Sequence, residues 1–177
     1  MDPHQAVEVL LDMIGENPKR EGLLDTPKRV CKAWKEMTVG YGMDPGEVLS
    51  TTFGETYDEM VVVKDYPFVS LCEHHVLPFA GTAKVGYIPV AGVVGLSKLG
   101  RLVDCFARRL QIQERLTNEI GEALDKYLNP LGAAVVITAT HECMAHRGVN
   151  KPATMVTSYL SGVFREDGTV RGEFFSL

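Results

Sequence analysis

Two clusters of cysteine and histidine, far apart in the chain, constrain the fold of this sequence more than any other feature. The first is Cys72-Glu-His-His75 and the second is His141-Glu-Cys143. A Cys-x2-His spacing lets one tight turn present a thiolate and an imidazole to a single metal ion. Residues two apart in a strand face the same side, which predicts that His141 and Cys143 point together at the end of a strand over 133–140. If that strand lies beside the first cluster, Cys143 completes one site.

The two clusters together offer the ligand set of a catalytic zinc site. Cys72, His75 and Cys143 supply two sulfurs and one nitrogen. Three protein ligands leave one tetrahedral position open, which is typical of a catalytic rather than a structural site. Zn²⁺ in such a site lowers the pKa of a bound water toward ~7. His74 and His141 then remain to carry protons, because the ordinary pKa of histidine suits general acid or base work.

The other two cysteines have a different expected role. Cys31 lies near Trp34, and Cys105 lies beside Phe106 on a predicted helix. Free cysteine behaves as a small buried hydrophobe, so we expect both to be packing residues.

Length and composition predict one folded globular protein. The 177 residues include 18 Lys+Arg and 23 Asp+Glu, for a net charge of −5, and 45% are hydrophobic. This acidity argues against a nucleic-acid partner, which needs many basic contacts to phosphate. No segment reaches the roughly 18 consecutive apolar residues that cross a bilayer, and the first ten residues lack signal-peptide features. We expect no membrane partner and a cytoplasmic location, where cysteines are thiols or metal ligands.

The order of the predicted elements indicates an α+β protein. The patterns predict helices over 3–14 and from Pro27, strands over 60–63, 68–72 and 82–88, helices from Ser97 and through 116–128, and strands over 133–140 and 155–164. Thr26 and Ser97 are the expected N-caps, Trp34 is expected to be buried, and 40–57 is expected to be a loop. This order suggests an antiparallel sheet with two helices on one face. We divide the chain into an N-terminal helical region, 1–40, and one domain over 59–177.

A basic group near a predicted helix start indicates an anionic substrate. Ser97, Lys98 and Arg101 lie on the first turn or so of that helix, and Arg147 follows Cys143 by four residues. A helix N-terminus attracts phosphate through its free N–H groups and dipole. The alternative is a solvated helix face, because most surface charges only face solvent.

Gln113-Glu114 opens the next predicted helix and allows two interpretations. A carboxylate that accepts two parallel N–H bonds recognises a guanine edge well, because such pairing is strong and directional. A glutamate in a first turn is also favoured by the helix dipole alone. The pattern does not choose between them.

These motifs together resemble one known family. The likeness is carried by Arg20–Arg29, Cys72–His75, Gly95–Arg101, Arg109–Thr117, His141–Cys143, Arg147–Val149 and Gly162–Glu166. In this order they resemble the GTP cyclohydrolase I family over nearly the whole chain. The resemblance implies a tunnelling-fold catalytic domain, whose sheets join between subunits into a barrel, and a homodecamer of two pentamers with active sites at the interfaces. It also implies conversion of GTP and water into formate and 7,8-dihydroneopterin triphosphate, the first step of pterin and folate-type biosynthesis.

The resemblance also implies roles for individual residues. It makes Cys72, His75 and Cys143 the Zn²⁺ ligands, His74, His141 and Ser97 catalytic, and Lys98, Arg101, Gln113, Glu114 and Arg147 contacts to GTP. His141 matches the acid that protonates the imidazole ring of guanine, and Glu114 matches the guanine anchor. Some of the triphosphate contacts are expected to reach across from a neighbouring subunit. Gly162–Glu166 matches the C-terminal strand.

The sequence departs from the family pattern at two positions and leaves two rival functions to consider. His146 and Glu142 stand where other residue types are usual, and neither is a motif residue. One rival is a tunnelling-fold relative that stops at another hydrolysis stage or serves deazaguanine synthesis. The deazaguanine reductase lacks the Cys-x2-His zinc set. A second rival, a non-enzymatic zinc-stabilised assembly, would leave His74, His141 and Glu114 without a use.

Overall fold

The computed structural model describes residues 2–177, which divide into two compact units, one ending at Val39 and the other beginning at Gly40. The first unit contains α1 (Pro3–Met13) and α2 (Thr26–Met37). The helices of the second unit are α3 (Pro45–Leu49), α4 (Leu96–Ala107), α5 (Gln113–Leu128), α6 (Glu142–Ala145), α7 (Val163–Glu166) and α8 (Gly168–Ser176). Its strands are β1 (Thr52–Phe53), β2 (Val61–Cys72), β3 (Pro78–Ile88), β4 (Val93–Val94), β5 (Leu110–Gln111), β6 (Gly132–His141) and β7 (Thr154–Leu160). Single 3-10 turns lie at Glu21–Leu23 and Val39–Gly42.

The first unit contains both predicted helices, but two predictions about α2, its N-cap and the burial of Trp34, were wrong. The Asp2 N–H donates to Gln5 Oε1 at 3.1 Å, which ties down the start of α1. The N-cap of α2 is Asp25, so the prediction of Thr26 was wrong and Thr26 lies inside the first turn. The prediction that Trp34 is buried was also wrong, since this side chain is 44% exposed. Within residues 2–39, α2 has one other α-helix to pack against, which leaves much of its apolar face uncovered.

A five-stranded sheet in the order β5-β2-β3-β6-β7 forms the centre of the second unit. The pairs β2–β3, β3–β6 and β6–β7 are antiparallel, as predicted. The short β5 pairs parallel to β2, with Leu71 opposite Leu110 and Cys72 opposite Gln111. The sequence did not predict this strand. It brings the start of α5 beside the end of β2, where Cys72 lies.

The strand β2 is continuous where two separate strands were predicted. Its register with β3 shifts between Val63 and Tyr66, and Asp65 there has φ +56°. A bulge inserts an extra residue and re-aims the strand without ending it. The two predicted segments are therefore halves of one bent strand, whose far end carries Cys72.

The two long helices α4 and α5 cover one face of this sheet, as predicted. The core between them and the sheet is lined by fully buried apolar side chains, Leu99, Leu102, Val103, Leu116, Ile120, Leu124, Val85, Tyr87, Val135 and Ile137. Each aliphatic side chain buried in this way contributes about 1.5–3 kcal/mol. The N-cap of α4 is Gly95, two residues before the expected Ser97, so Ser97 lies in the first turn and that prediction was wrong.

The C-terminal segment is helical where strand was predicted. The strand β7 ends at Leu160, and Val163–Glu166 is α7, so the predictions of strand over 155–164 and over Gly162–Glu166 were wrong at this end. Gly162 turns the chain with φ +47°, and a Cβ there would lie 2.0 Å from the Leu131 carbonyl oxygen. Phe174 of α8 then packs beside Gly86, so helices lie on both sides of the sheet.

The predicted loop over 40–57 contains a short helix and a short strand. Asp44 caps α3 by accepting a hydrogen bond from the Gly46 N–H at 2.8 Å, and Pro45 occupies the first helical position. Asp-Pro is a recognisable helix start. The many turn-forming residues over 40–57 favoured the prediction of a loop instead of this helix. None of the helices within residues 2–177 has the length and apolar character needed to cross a lipid bilayer.

Candidate metal and catalytic site

The first cluster lies on a tight turn at the end of β2. The Cys72 N–H donates to the Leu77 carbonyl, and the Cys72 carbonyl accepts from the N–H groups of His75 and Val76. Val76 has φ +54°, an unusual conformation for a β-branched residue. The chain therefore doubles back on itself within a few residues. This brings the His75 imidazole close to the Cys72 sulfur.

Cys72, His75 and Cys143 form one cluster, with their ligand atoms all within 4.8 Å of one another. The Cys72 Sγ atom lies 3.7 Å from His75 Nδ1. Tetrahedral Zn²⁺, with its usual bonds to sulfur and nitrogen, separates two such ligands by about 3.6 Å. The donor set and this spacing therefore fit a tetrahedral metal ion.

Cys143 reaches the cluster by a different route from the one predicted. The strand β6 ends at His141, and Cys143 lies in the short helix α6. Strand alternation therefore does not relate the two side chains, and that prediction was wrong. Burial and the nearby Cys72 sulfur raise the pKa of the Cys143 thiol. A bound cation favours the thiolate that this environment otherwise disfavours.

His141 lies beside the cluster and is held by two neighbours. Its ring stacks on Phe79, with centroids 4.6 Å apart and planes within 4°, because the two residues are opposite in the β3–β6 register. Its Nε2 lies 2.8 Å from Gln113 Oε1. Burial lowers the pKa of His141, while the Glu114 carboxylate acts in the opposite direction. Sequence patterns did not identify Phe79, since only strand register places it here.

A depression beside His141 offers room for a flat substrate group. It has a volume of about 410 Å³ and is lined by His141, Cys143, Met144, Ala153, Thr154 and Met155. Glu114, whose side chain is exposed, lies in the first turn of α5 and directly follows Gln113, which contacts His141.

Two further predicted site residues border the cluster. His74 Nδ1 lies 3.7 Å from Cys72 Sγ, although His74 is not one of the three clustered ligands. Arg147 Nη1 lies 3.1 Å from His75 Nε2 and donates to the Cys143 carbonyl at 3.3 Å. A permanent cation therefore lies at the mouth of the site, where it can attract an anionic group.

A hydrogen-bond network behind the turn holds it in place. Arg115 donates from Nη2 to the carboxylate of Glu73, which directly follows Cys72. Arg115 also donates from Nε to Gln111 Oε1 at 2.8 Å, and the Glu73 N–H donates to the Gln111 carbonyl. Sequence patterns did not indicate a role for Arg115 or Glu73, although both lie within motifs that resemble the family. The unforeseen pairing of β5 with β2 brings them together.

One chain does not bring every predicted site residue to the cluster. The ring of Tyr66 packs where a Cβ on Gly100 would lie, which places the start of α4 level with that part of β2. Cys72 is six residues further along β2, about 20 Å at the usual rise. Ser97 precedes Gly100 by one turn and Arg101 adjoins it, so these two and Lys98 lie far from the metal ligands of their own chain.

The two departures from the family pattern pair with each other. His146 Nε2 lies 2.6 Å from Glu142 Oε2, one turn apart, and the His146 side chain is 78% exposed. An exposed pair of this kind contributes little to stability.

The cluster and its surroundings define an α+β protein with a candidate metal centre that adjoins a histidine and a carboxylate. A sequence model of GTP cyclohydrolase I matches residues 3–177. The chain is 53% identical to GTP cyclohydrolase 1 of Halalkalibacterium halodurans, over 98% of this chain and 93% of that protein. It is 52% identical to GTP cyclohydrolase 1 of Wolinella succinogenes, over 96% of this chain and 92% of that protein.

Among solved structures, an archaeosine synthase QueF-Like in the apo form aligns with a TM-score of 0.43 and 20% identity, over 59% of this chain and 95% of that one. The sequence matches decide the classification. The chain belongs to the GTP cyclohydrolase I family, an enzyme family, which confirms the resemblance that the motifs indicated.

Proposed function

We propose that this chain hydrolyses GTP and rearranges it to 7,8-dihydroneopterin triphosphate with release of formate. The observation that carries the proposal is the three-residue cluster Cys72, His75 and Cys143 with His141 beside it. Family membership supports GTP as the substrate. Two thiols and one imidazole are a ligand set typical of Zn²⁺. Bound there, Zn²⁺ supplies a Lewis acid that activates water for hydrolysis.

The remaining site residues supply binding and proton transfer. Glu114 accepts the ring N–H and the amino group of guanine in a bidentate pair, which orients the purine over the depression. His141 gives a proton to the imidazole-ring nitrogen as that ring opens, and His74 assists the opening. Arg147 holds part of the triphosphate. Fixed groups of this kind keep one flexible intermediate oriented until the new ring closes.

We also propose that a neighbouring copy of the chain completes the site. Ser97, Lys98 and Arg101 surround Gly100, which contacts Tyr66, and Tyr66 lies six residues along β2 from Cys72 of the same chain. We infer that they contact the triphosphate bound at the cluster of a neighbouring subunit. The strand β7 is a sheet edge, which favours pairing with a second copy. Assembly of the sheets into a barrel, as a homodecamer, is consistent with both features.

The test is incubation of the purified protein with GTP. Formate and an oxidisable, fluorescent pterin should both appear, and a chelator should abolish both. Formate without the pterin triphosphate would indicate an enzyme that stops early. A zinc-loaded protein that releases no formate would refute the proposal.

Glu114→Gln is expected to weaken guanine selection. The amide keeps one acceptor where the carboxylate offered two, and a hydrogen bond to a charged group contributes about 1.5–3 kcal/mol. The preference for GTP over ATP should fall about 10- to 100-fold, measured as the ratio of the inhibition constant of ATP to the KM for GTP. Glu122→Gln, an exposed glutamate on the same helix, is the control. An unchanged GTP preference in Glu114→Gln would count against its role.

Arg115→Leu is expected to weaken metal binding without touching a ligand. The substitution frees Glu73 and the turn that carries Cys72. Loss of such an outer partner typically costs about 10- to 100-fold in affinity. Competition with a chromophoric chelator measures the effect. Arg108→Leu is the control, because Arg108 directly follows α4 and pairs with Asp104 of that helix. Equal metal affinity in the Arg115 variant and the wild type would contradict the prediction.

A further inference from the structure

The side chain of Gln113 is enclosed within the protein rather than exposed in the site. Gln113 is 1% exposed, at the first position of α5. Its Nε2 donates to the carbonyl oxygens of Ile137 at 3.0 Å and Met155 at 3.1 Å, and lies 3.2 Å from Thr157 Oγ1. These partners belong to the neighbouring strands β6 and β7. The amide is therefore held between two strands and has no hydrogen left for a substrate.

The orientation of this amide follows from the chemistry of its partners. Carbonyl oxygens only accept hydrogen bonds, so the nitrogen of the Gln113 amide must face Ile137 and Met155. Its oxygen then faces His141 Nε2, 2.8 Å away. An amide oxygen also only accepts, so the His141 Nε2 atom must carry the hydrogen.

A second contact restrains the same ring. Phe79 stacks face to face on His141, with planes within 4°. Phe79 is itself fully buried. The stacking fixes the plane of the imidazole, and the hydrogen bond that its Nε2–H donates to Gln113 Oε1 fixes its rotation within that plane. The two contacts leave the opposite nitrogen, Nδ1, as the atom available to a substrate.

We propose that Gln113 is a positioning residue that holds His141 as the Nε2–H tautomer, so that Nδ1 alone exchanges a proton with the substrate. This inference rests on the proposed function, in which His141 is the acid. In the transfer, the N–H bond at Nδ1 breaks and a bond forms from that proton to the purine ring nitrogen. The Nε2–H bond to Gln113 persists before and after. The His141 ring therefore does not have to rotate or flip when it loses its Nδ1 proton.

This role differs from a direct contact between the Gln113 side chain and guanine. A substrate contact would act mainly on KM, whereas a positioning residue acts on the chemical step and so on kcat. Glu114, the next residue, is exposed and remains the guanine anchor. Of these two adjacent residues at the start of α5, Gln113 then binds His141 inside the protein and Glu114 binds the guanine of the substrate.

The experiment compares Gln113→Leu, Gln113→Glu and Thr157→Val with the wild type. Leucine removes the acceptor of the Nε2 hydrogen, and we expect kcat for GTP to fall about 10- to 100-fold with KM within about twofold. A buried glutamate that stays protonated can donate to one carbonyl and accept from His141, so Gln113→Glu should retain most of kcat. Thr157→Val disturbs the same network but leaves both carbonyl partners, and it should lower Tm without lowering kcat.

¹⁵N NMR of histidine-labelled protein provides a readout independent of turnover, with His141 assigned by its loss in His141→Ala. At a pH where the ring is neutral, wild type, Gln113→Glu and Thr157→Val should show a protonated Nε2 and a bare Nδ1, and Gln113→Leu should show a mixture of the two tautomers. A bare Nε2 in the wild type would overturn the proposal, as would a Gln113→Leu variant with normal kcat and a raised KM. If the wild type releases no formate from GTP, the proposed function fails, while the NMR result still decides the tautomer. If Gln113→Leu does not fold, the wild-type spectrum alone still decides which nitrogen of His141 carries the hydrogen.

Discussion

Cys143→Ser is expected to lose both its bound metal and its turnover of GTP. Serine is a poor ligand for Zn²⁺ at neutral pH because its hydroxyl does not ionise as a thiol does. The remaining Cys72 and His75 provide only two ligands, too few to retain the ion. Metal content by atomic emission should fall from about one ion per chain to near zero, and formate release should fall below detection.

Cys31→Ser is the matched control for this prediction. Cys31 lies on α2 and is not a member of the metal cluster. This variant should keep its metal and its turnover. A Cys143→Ser protein that retained a full complement of metal would show that the ion is bound at another site.

His141→Ala is expected to separate metal binding from catalysis. The imidazole adjoins the cluster but is not one of its three ligands, so the metal content should remain normal. Loss of a general acid typically lowers turnover about 10²- to 10⁴-fold. Steady-state formate release, with metal content measured on the same sample, tests both parts.

His146→Ala serves as the control for the His141 substitution. Its side chain is exposed and pairs with Glu142 rather than with the metal ligands. Turnover should therefore remain close to that of the wild type. Full turnover in His141→Ala itself would remove His141 from the proposed mechanism and would leave the positioning role of Gln113 without a purpose.

Much of the fold was predictable where local pattern and packing agree. The apolar stripes of α4 and α5 follow helical spacing, so the face they bury could be predicted before the sheet was known. Asn129, left-handed with φ +44°, and the following Pro130 end α5 as expected. The C-terminal helix α7 was missed because its apolar residues also fit a strand, and only the close approach of Gly162 to Leu131 turns the chain there.

The candidate site was predictable in composition but not in arrangement. The metal ligands were identified because a thiol and an imidazole at Cys-x2-His spacing are rarely brought together for packing alone. The inward turn of Gln113 was not predictable, since a first-turn glutamine is compatible with solvent, substrate or core. Its environment depends on Ile137 and Met155, which come from distant strands.

The sequence by itself determined the chemistry of this protein: which side chains can bind a metal, which can carry a proton, and which faces of α4 and α5 are buried. These properties depend on residue type and short spacing, which are local. Only the tertiary structure decided that β5 pairs with β2, that Phe79 stacks on His141, and that Ser97, Lys98 and Arg101 lie far from the cluster of their own chain. Strand register and helix placement result from many contacts between residues distant in the chain, and no short motif encodes them.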